Sequence, residues 1–219
     1  MKKIEFNTWK RKATYENFIK YTNPVFSMGT RLDVTRLLSY CEKEGKSFFA
    51  AFLYFVTMCA NEIEEFKIRI SDDGIVLYDY VRPSYIVILE NQELVTCMSE
   101  YDESFEGFYK GVRCDIENVI KNNRPSFNEK IFYDCLYISC VPWTDFTSVS
   151  NPYNFDDKKV TSIPRITWGK YVKKAGGQAD MARDVSAHHG LMDGRHISCF
   201  YEKLQNALNN PEVFIKRGN

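Results

Sequence analysis

The sequence lacks an excess of charge of either sign. Its 219 residues include 29 Lys and Arg and 29 Asp and Glu, so the formal net charge is +0 at pH 7. A neutral protein has no overall field that would hold a nucleic acid or an anionic membrane surface. No run approaches the roughly 20 apolar residues of a membrane span, and the first residues turn polar at once. We therefore expect no nucleic-acid or membrane partner and a cytoplasmic location.

The sequence also lacks paired cysteines. Its 7 cysteines are odd in number and scattered, with no C-x-x-C pair, so we expect neither disulfides nor structural zinc. Most lie in apolar stretches, as Cys59 and Cys140 do, where a thiol acts as a small buried hydrophobe. A catalytic thiol is disfavoured by that predicted burial.

No internal repeat, low-complexity stretch or linker rich in Pro, Gly or Ser interrupts the chain. We therefore predict a single domain over residues 1–219. Hydrophobic residues make up 44% of the chain, enough for a sizeable core. Aromatic residues make up 15% of the chain, more than a minimal core requires. This excess suggests that some of them line a ligand pocket or a subunit interface.

Hydrophobic periodicity predicts an α+β fold. Apolar residues at helical spacing predict helices from Trp9, from Asp33, from Ser47, from Phe105 and near the carboxyl end. Alternating or continuous apolar runs predict strands at residues 67–70, 75–78, 85–89, 94–98, 131–141, 163–172 and 181–188. Helices grouped early and late around mostly hairpin-linked strands favour a two-layer sandwich of helices on a mixed, mostly antiparallel sheet over a doubly wound fold.

All three histidines fall within residues 188–196, which read HHGLMDGRH. The segment lies between the last predicted strand and the last predicted helix, where a rigid support can present a side chain in a cleft. Imidazole titrates near neutrality and can take and return a proton. Adjacent strand residues face opposite sides of a sheet, so His188 and His189 cannot have the same role.

Two other interpretations of this cluster stay open beside catalysis. A metal site would need a third ligand for His189 and Asp193, but Gly190 and Gly194 interrupt a regular helix and the chain offers no further histidine; we expect no metal. Alternatively the histidines simply close a loop, with Asp193 paired to an arginine. That structural interpretation is favoured for His188 and His196.

The pattern HHxxxDG followed by xH resembles the active-site signature of chloramphenicol acetyltransferases, HHAVCDGFH. Peptide-synthetase condensation domains share its core, and dihydrolipoyl acyltransferases carry a variant, but those proteins are longer or multidomain. Four further segments resemble family motifs in family order: residues 9–12 (WKRK, family WxRK), 76–83 (VLYDYVRP, family WDSVxP), 142–148 (PWTDFTS, family PWVxFTSF) and 166–171 (ITWGKY, family TMGKY).

The resemblance implies a catalytic role for three residues. His189 would be the general base that deprotonates an acceptor hydroxyl as it attacks the thioester of acetyl-CoA. Ser148 would donate a hydrogen bond to the oxyanion that forms. Thr167 would hold a water near this intermediate, or it is an ordinary strand threonine. Direct transfer needs no acetyl-enzyme.

The resemblance also implies that Asp193 pairs with Arg11 to hold the loop that carries the base, rather than serving as a triad acid. In the family the histidine tautomer is fixed by a backbone carbonyl. Acetyl-CoA would be a co-substrate, with no permanently bound cofactor, and would lie against Lys170, Tyr171 and Phe49, although Phe49 also fits plain core packing.

Phe18 and Phe26 would line a mostly apolar acceptor pocket. The chain departs from the family pattern at Asp145, Arg165 and Arg195, and a charge at Asp145 or Arg165 in that pocket would favour a more polar acceptor.

The function implied is acetylation of chloramphenicol, and so resistance, by a homotrimer with active sites at its subunit interfaces. One alternative is an O-acetyltransferase of a different, more polar hydroxyl acceptor. The other, from a different class, is a catalytically silent trimeric binding protein.

Overall fold

A computed structural model of the protein describes residues 1–122 and 131–216. The helices are α1 (Lys12–Phe18), α2 (Thr35–Glu44), α3 (Phe48–Asn61), α4 (Phe105–Asn122), α5 (Lys158–Thr161), α6 (Gly194–Asn209) and α7 (Pro211–Lys216), with a 3₁₀ helix at Glu64–Lys67. The strands are β1 (Lys2–Lys3), β2 (Val25–Asp33), β3 (Ile68–Ser71), β4 (Gly74–Leu77), β5 (Arg82–Ile88), β6 (Leu94–Met98), β7 (Cys135–Val141), β8 (Arg165–Lys173) and β9 (Ala179–His188).

Six strands form one mixed sheet in the order β2-β9-β8-β7-β5-β6. Strand β7 runs parallel to both β5 and β8, and the other three neighbouring pairs are antiparallel. A small sheet of order β1-β4-β3 lies apart from it. The predicted α+β class with a mixed, mostly antiparallel sheet is confirmed.

Local signals place the helices near the start of the chain. The side chain of Ser47 accepts a hydrogen bond from the Ala50 amide at 3.4 Å and caps α3 as predicted. The Asp33 carboxylate accepts one from the Thr35 amide at 2.8 Å, where α2 begins. Helix α2 ends at Gly45, whose φ of 62° is a left-handed conformation that glycine adopts without strain.

Strand β2 and the first residues of α1 and β7 differ from the prediction. Strand β2 was not predicted, because its partner in the sheet is β9, some 150 residues later in the chain, and a local pattern does not show distant pairing. Helix α1 begins at Lys12 rather than Trp9, which lies in the preceding turn and packs against Tyr15 with ring centroids 5.8 Å apart. Strand β7 begins at Cys135, after the exposed Ile131.

The main core lies between the helices and one face of the large sheet. Helix α3 is almost entirely buried within it, and Phe52 meets Trp168 of β8 edge to face at 4.9 Å. A second, smaller cluster lies under the small sheet and contains Ile68, Ile70, Ile75, Leu77 and Leu191. Across residues 1–122 and 131–216, no helix is long and apolar enough to span a bilayer.

Two fully buried arginines are held very differently. Arg69 donates to four backbone carbonyls, those of Phe66, Ile68, Tyr133 and Cys135, at 2.6 to 2.8 Å. Arg183 of β9 has no hydrogen-bond partner on any of its three nitrogens within the described chain, and only the rings of Phe52 and Tyr201 lie over its guanidinium, at 5.6 and 5.4 Å. Arg183 is therefore a buried cation with two aromatic faces but no hydrogen-bond partner in the described chain.

Candidate active site

His189 directly follows strand β9, and both its backbone N–H and its backbone carbonyl are hydrogen-bonded. Its amide donates to the carbonyl of Pro24 at 2.8 Å, and its carbonyl accepts from Nη2 of Arg11 at 3.0 Å. The half-buried imidazole stacks on Phe18 with centroids 4.2 Å apart and planes 8° apart, and Phe26 lies 4.5 Å away. The structure thus brings together His189 and both aromatics predicted for the acceptor pocket.

The loop after His189 is held by an ion pair between Arg11 and Asp193, the two residues that the family resemblance implies as partners. Nη1 of Arg11 lies 2.8 Å from Oδ2 of Asp193, and Nε of the same guanidinium donates to the Gly190 carbonyl at 3.4 Å. Burial raises the pKa of the Asp193 carboxyl, but the hydrogen bond from Arg11 and the nearby positive charges outweigh it, so the net shift is downward. Asp193 also caps α6 by accepting from the Arg195 amide at 3.0 Å. The described contacts of the Asp193 carboxylate hold the loop in place, and none of them is with the His189 ring.

Apolar anchors fix the same loop from both sides. Leu191 is buried in the small cluster, which Trp9 and Tyr15 also contact, and Met192 is buried in the main core. A Cβ on Gly190 would lie 2.9 Å from the His188 ring and 3.1 Å from Cα of Tyr15, so this close approach requires glycine.

His188 and His196 have structural surroundings. His188 is buried, its Nδ1 accepts from the Gly190 amide at 3.0 Å, and burial lowers its pKa to about 4. The ring is therefore neutral at pH 7 and is enclosed beside Tyr15. His196 lies between Asp193 and Glu65, 2.9 and 3.2 Å away. Nδ1 of His189 is buried and has no partner in the described chain, so the carbonyl contact expected for its tautomer is not formed.

Thr167 lies in strand β8, and Ser148 lies in the segment between β7 and α5. Thr167 is buried in β8, and its hydroxyl donates to Oδ1 of Asn151 at 3.3 Å. Ser148 is exposed in the segment after β7. That segment packs on β8, because the Lys170 amide donates to the Thr144 carbonyl at 2.8 Å and a Cβ on Gly169 would lie only 2.9 Å from the same oxygen.

A single chain does not bring Thr167 to the predicted base. In the sheet register Thr167 is paired with Asp184, five residues before His189. Five residues of extended chain span about 16 Å. A general base must lie about 3 Å from the proton that it removes. The catalytic residues predicted from the sequence therefore form two separate groups within one chain.

Comparison with known proteins bears on this arrangement. A family model described as chloramphenicol acetyltransferase matches residues 1–205. The chain belongs to the chloramphenicol acetyltransferase family. It is 30% identical to a chloramphenicol acetyltransferase of Clostridium butyricum, over 92% of each chain, and 29% identical to one of Clostridium perfringens, over 97% of this chain and 96% of the relative.

Solved structures agree with this assignment. One chloramphenicol acetyltransferase superposes with a TM-score of 0.87 at 30% identity, covering 95% of this chain and all of the other. A dihydrolipoamide acetyltransferase of Azotobacter vinelandii shares only the fold, with a TM-score of 0.68 at 12% identity and 98% of each chain covered. The protein is an acetyltransferase, and acetyl-CoA is its co-substrate.

The residues predicted to bind coenzyme A in this acetyltransferase lie around β8. Lys170 is exposed and Tyr171 is half-buried. The ring that meets Tyr171 is Phe48, 5.6 Å away, whereas Phe49 packs on Tyr85 and Trp168 at 5.6 and 5.8 Å. The structure thus places Phe49 against the core. The contact between Phe48 and Tyr171 was not predicted, although the i, i+4 spacing of Phe48 and Phe52 places both rings on one face of α3.

The three charged residues at which the chain departs from the family pattern, Asp145, Arg165 and Arg195, have different surroundings. Asp145 pairs with Arg31 at 2.8 Å, and Arg31 also pairs with Asp180 at 2.7 Å. The Arg195 side chain is 83% exposed. Arg165 is half-buried, with its guanidinium 3.8 Å from the Tyr153 ring. Asp145 is thus neutralised on the surface, and Arg165 is the departure that lines a cavity.

No group of three or more metal-ligating side chains occurs in the portion of the acetyltransferase that the structure describes.

Proposed function

We propose that this acetyltransferase transfers an acetyl group from acetyl-CoA to a hydroxyl of chloramphenicol and so confers resistance. The observation that carries the proposal is that hydrogen bonds and aromatic rings hold His189 in one position. Both its backbone groups are hydrogen-bonded and its ring is held by Phe18 and Phe26. A base fixed in this way loses little freedom when it meets an acceptor. Family membership and the names of the relatives support the substrate.

The reaction proceeds in two steps. His189 removes the proton of the acceptor hydroxyl while the oxygen attacks the thioester carbonyl, giving a tetrahedral oxyanion and an imidazolium. The Ser148 hydroxyl donates a hydrogen bond to that oxyanion, an interaction worth about 10²–10³ in rate in tested enzymes. The oxyanion then collapses, the carbon–sulfur bond breaks, and the coenzyme A thiolate takes the proton from His189. Thr167, fixed by Asn151, holds a water beside the oxyanion.

The separation of the two groups supports a homotrimer with its active sites between subunits. Since His189 and Thr167 lie about 16 Å apart along one sheet, His189 of one subunit would complete its site with Ser148 and Thr167 of the next. Sedimentation equilibrium should give three times the chain mass of 25.6 kDa. A fully active monomer would contradict this part of the proposal.

Acetyl-CoA is proposed to bind along Lys170 and Tyr171, which lie beside the segment that carries Ser148. Its adenine would contact Tyr171, and Phe48 would support that ring from behind. Phe49 stays a proposed contact of acetyl-CoA only because it lies in α3 next to Phe48. Because acetyl-CoA is the co-substrate, we also place the protein in the cytoplasm.

The deciding experiment measures free thiol released from acetyl-CoA by the purified protein, with and without chloramphenicol. We expect release that depends on the drug and falls at least about 10²-fold in His189→Ala. The matched control is Lys10→Ala, an exposed residue next to Arg11. Acetyl-CoA binding without transfer to any hydroxyl acceptor would favour the silent binding protein.

A second candidate acceptor, a more polar hydroxyl compound, is favoured by the guanidinium of Arg165 in a cavity. Transfer to such a compound but not to chloramphenicol would keep the acetyltransferase assignment and change its substrate.

A further inference from the structure

Arg165 lines a cavity on the same face of the sheet as Thr167. The cavity has a volume of about 350 Å³, and its polar lining includes Ser84, Thr96, Ser139, Asn151 and Arg165. Arg165 and Thr167 are two residues apart on β8, so their side chains project from the same face about 7 Å apart. Asn151 connects them, because it lines the cavity and accepts the hydrogen bond of Thr167.

The positive charge of Arg165 has no neutralising partner. Within residues 1–122 and 131–216, no carboxylate oxygen lies within 4.0 Å of its guanidinium, whereas Arg11, Arg31 and Arg82 each pair with a carboxylate. Its Nε is buried and has no hydrogen-bond partner there. The contacts of the group are the Pro152 carbonyl and the rings of Tyr153 and Tyr137, 3.8 and 5.4 Å away.

The carboxylate available on this face is already engaged. Asp184 faces Thr167 in the register, and it accepts a hydrogen bond from the Ser186 hydroxyl at 3.0 Å. Arg165 instead extends toward Tyr153, whose ring fixes the plane of the guanidinium. A planar cation held in this way presents its free N–H groups in a fixed direction, a geometry that suits a carboxylate.

A half-buried cation without a counter-charge is unfavourable, and an anionic ligand removes that cost. We propose that the cavity at Arg165 binds the carboxylate of a hydroxyl-bearing acceptor, so that this acetyltransferase prefers an anionic acceptor to a neutral one. The inference rests on the proposed acetyl transfer and develops its second candidate acceptor, the more polar hydroxyl compound, in place of the neutral chloramphenicol. Since Arg165 and Thr167 start about 7 Å apart on β8 and Thr167 is proposed to lie beside the oxyanion, a test acceptor is chosen with its hydroxyl about 7 Å from the carboxylate.

The test compares 4-(2-hydroxyethyl)benzoate, which has about this spacing, with its neutral methyl ester. In the wild-type protein we expect kcat/KM for the acid to exceed that for the ester by about 10- to 100-fold, as for hydrogen bonds to charged groups. In Arg165→Met the ratio should fall to near one, and Arg165→Lys should keep part of it. Arg113→Met, which changes an exposed arginine of α4, should leave the ratio as in the wild type.

The outcomes separate the two proposals. Equal kcat/KM for acid and ester in the wild type refutes the Arg165 inference while acetyl transfer stands. A rise in KM for acetyl-CoA in Arg165→Met, with an unchanged acid-to-ester ratio, also refutes it and assigns Arg165 to a phosphate of the coenzyme. If no acceptor is acetylated, the proposed function fails, and titration calorimetry without acetyl-CoA still tests the site. There the acid should bind about 10-fold more tightly than the ester, a difference lost in Arg165→Met.

Discussion

Replacing Arg11 by Met should both destabilise the fold and displace the base. The substitution removes the ion pair with Asp193 and the hydrogen bonds to the carbonyls of His189 and Gly190, at 2.8, 3.0 and 3.4 Å. Breaking a fully buried pair costs about 3–5 kcal/mol. Here the Arg11 and Asp193 side chains are 12% and 29% exposed, so solvent reduces the loss to about 2–3 kcal/mol.

For a chain of this length that loss lowers Tm by about 4–12 °C, which thermal melting would measure. We also expect kcat for acetyl transfer to fall, because the carbonyl of His189 loses its partner. Arg11→Lys should be intermediate, since an ammonium can keep the ion pair but not all three contacts. Lys10→Met, an exposed neighbour, is the matched control.

The effect should depend on pH with a definite sign. The pKa of the Asp193 carboxyl is lowered in the folded protein, so its contribution to stability is present above its ordinary value of 3.8 and is lost as the pH falls through the folded value. The Tm difference between wild type and Arg11→Met should therefore be constant above about pH 5 and narrow below about pH 4. Equal Tm and kcat in the two proteins at pH 7 would refute the role assigned to Arg11.

Three further predictions follow from buried groups. Arg183→Leu should raise stability by about 1–4 kcal/mol, because it replaces a buried cation without hydrogen-bond partners in the described chain by an apolar side chain, and a lower Tm would contradict this account. Gly190→Ala should lower Tm and kcat together, because its Cβ would lie 2.9 Å from the His188 ring. The control is Gly111→Ala on α4, where the Cβ would meet open space, and it should be neutral or stabilising. Thermal melting and the thiol-release assay check both variants. Burial lowers the pKa of His188 to about 4 against 6.5 in the unfolded chain, so stability should fall as the pH drops from about 6.5 towards 4. That decline should be smaller in His188→Asn, as denaturant unfolding at a series of pH values would show.

Much of the fold followed from local patterns. The cap at Ser47, the hairpin of β3 and β4 and strand β6 lie where periodicity and turn residues predicted them, because a few neighbouring residues determine each. Strand β2 was missed because it is stabilised by pairing with β9 rather than by its own sequence.

The sequence by itself determined the fold class and the family motifs, since these depend on residue type and spacing, and the resemblance that the motifs carry implied the pairing of Arg11 with Asp193. Only the tertiary structure decided which ring meets Tyr171, which of the charged departures from the family pattern is neutralised, and how far His189 lies from Thr167. These are contacts between segments distant in the chain. Their geometry depends on strand register and on packing, which no short stretch of sequence contains.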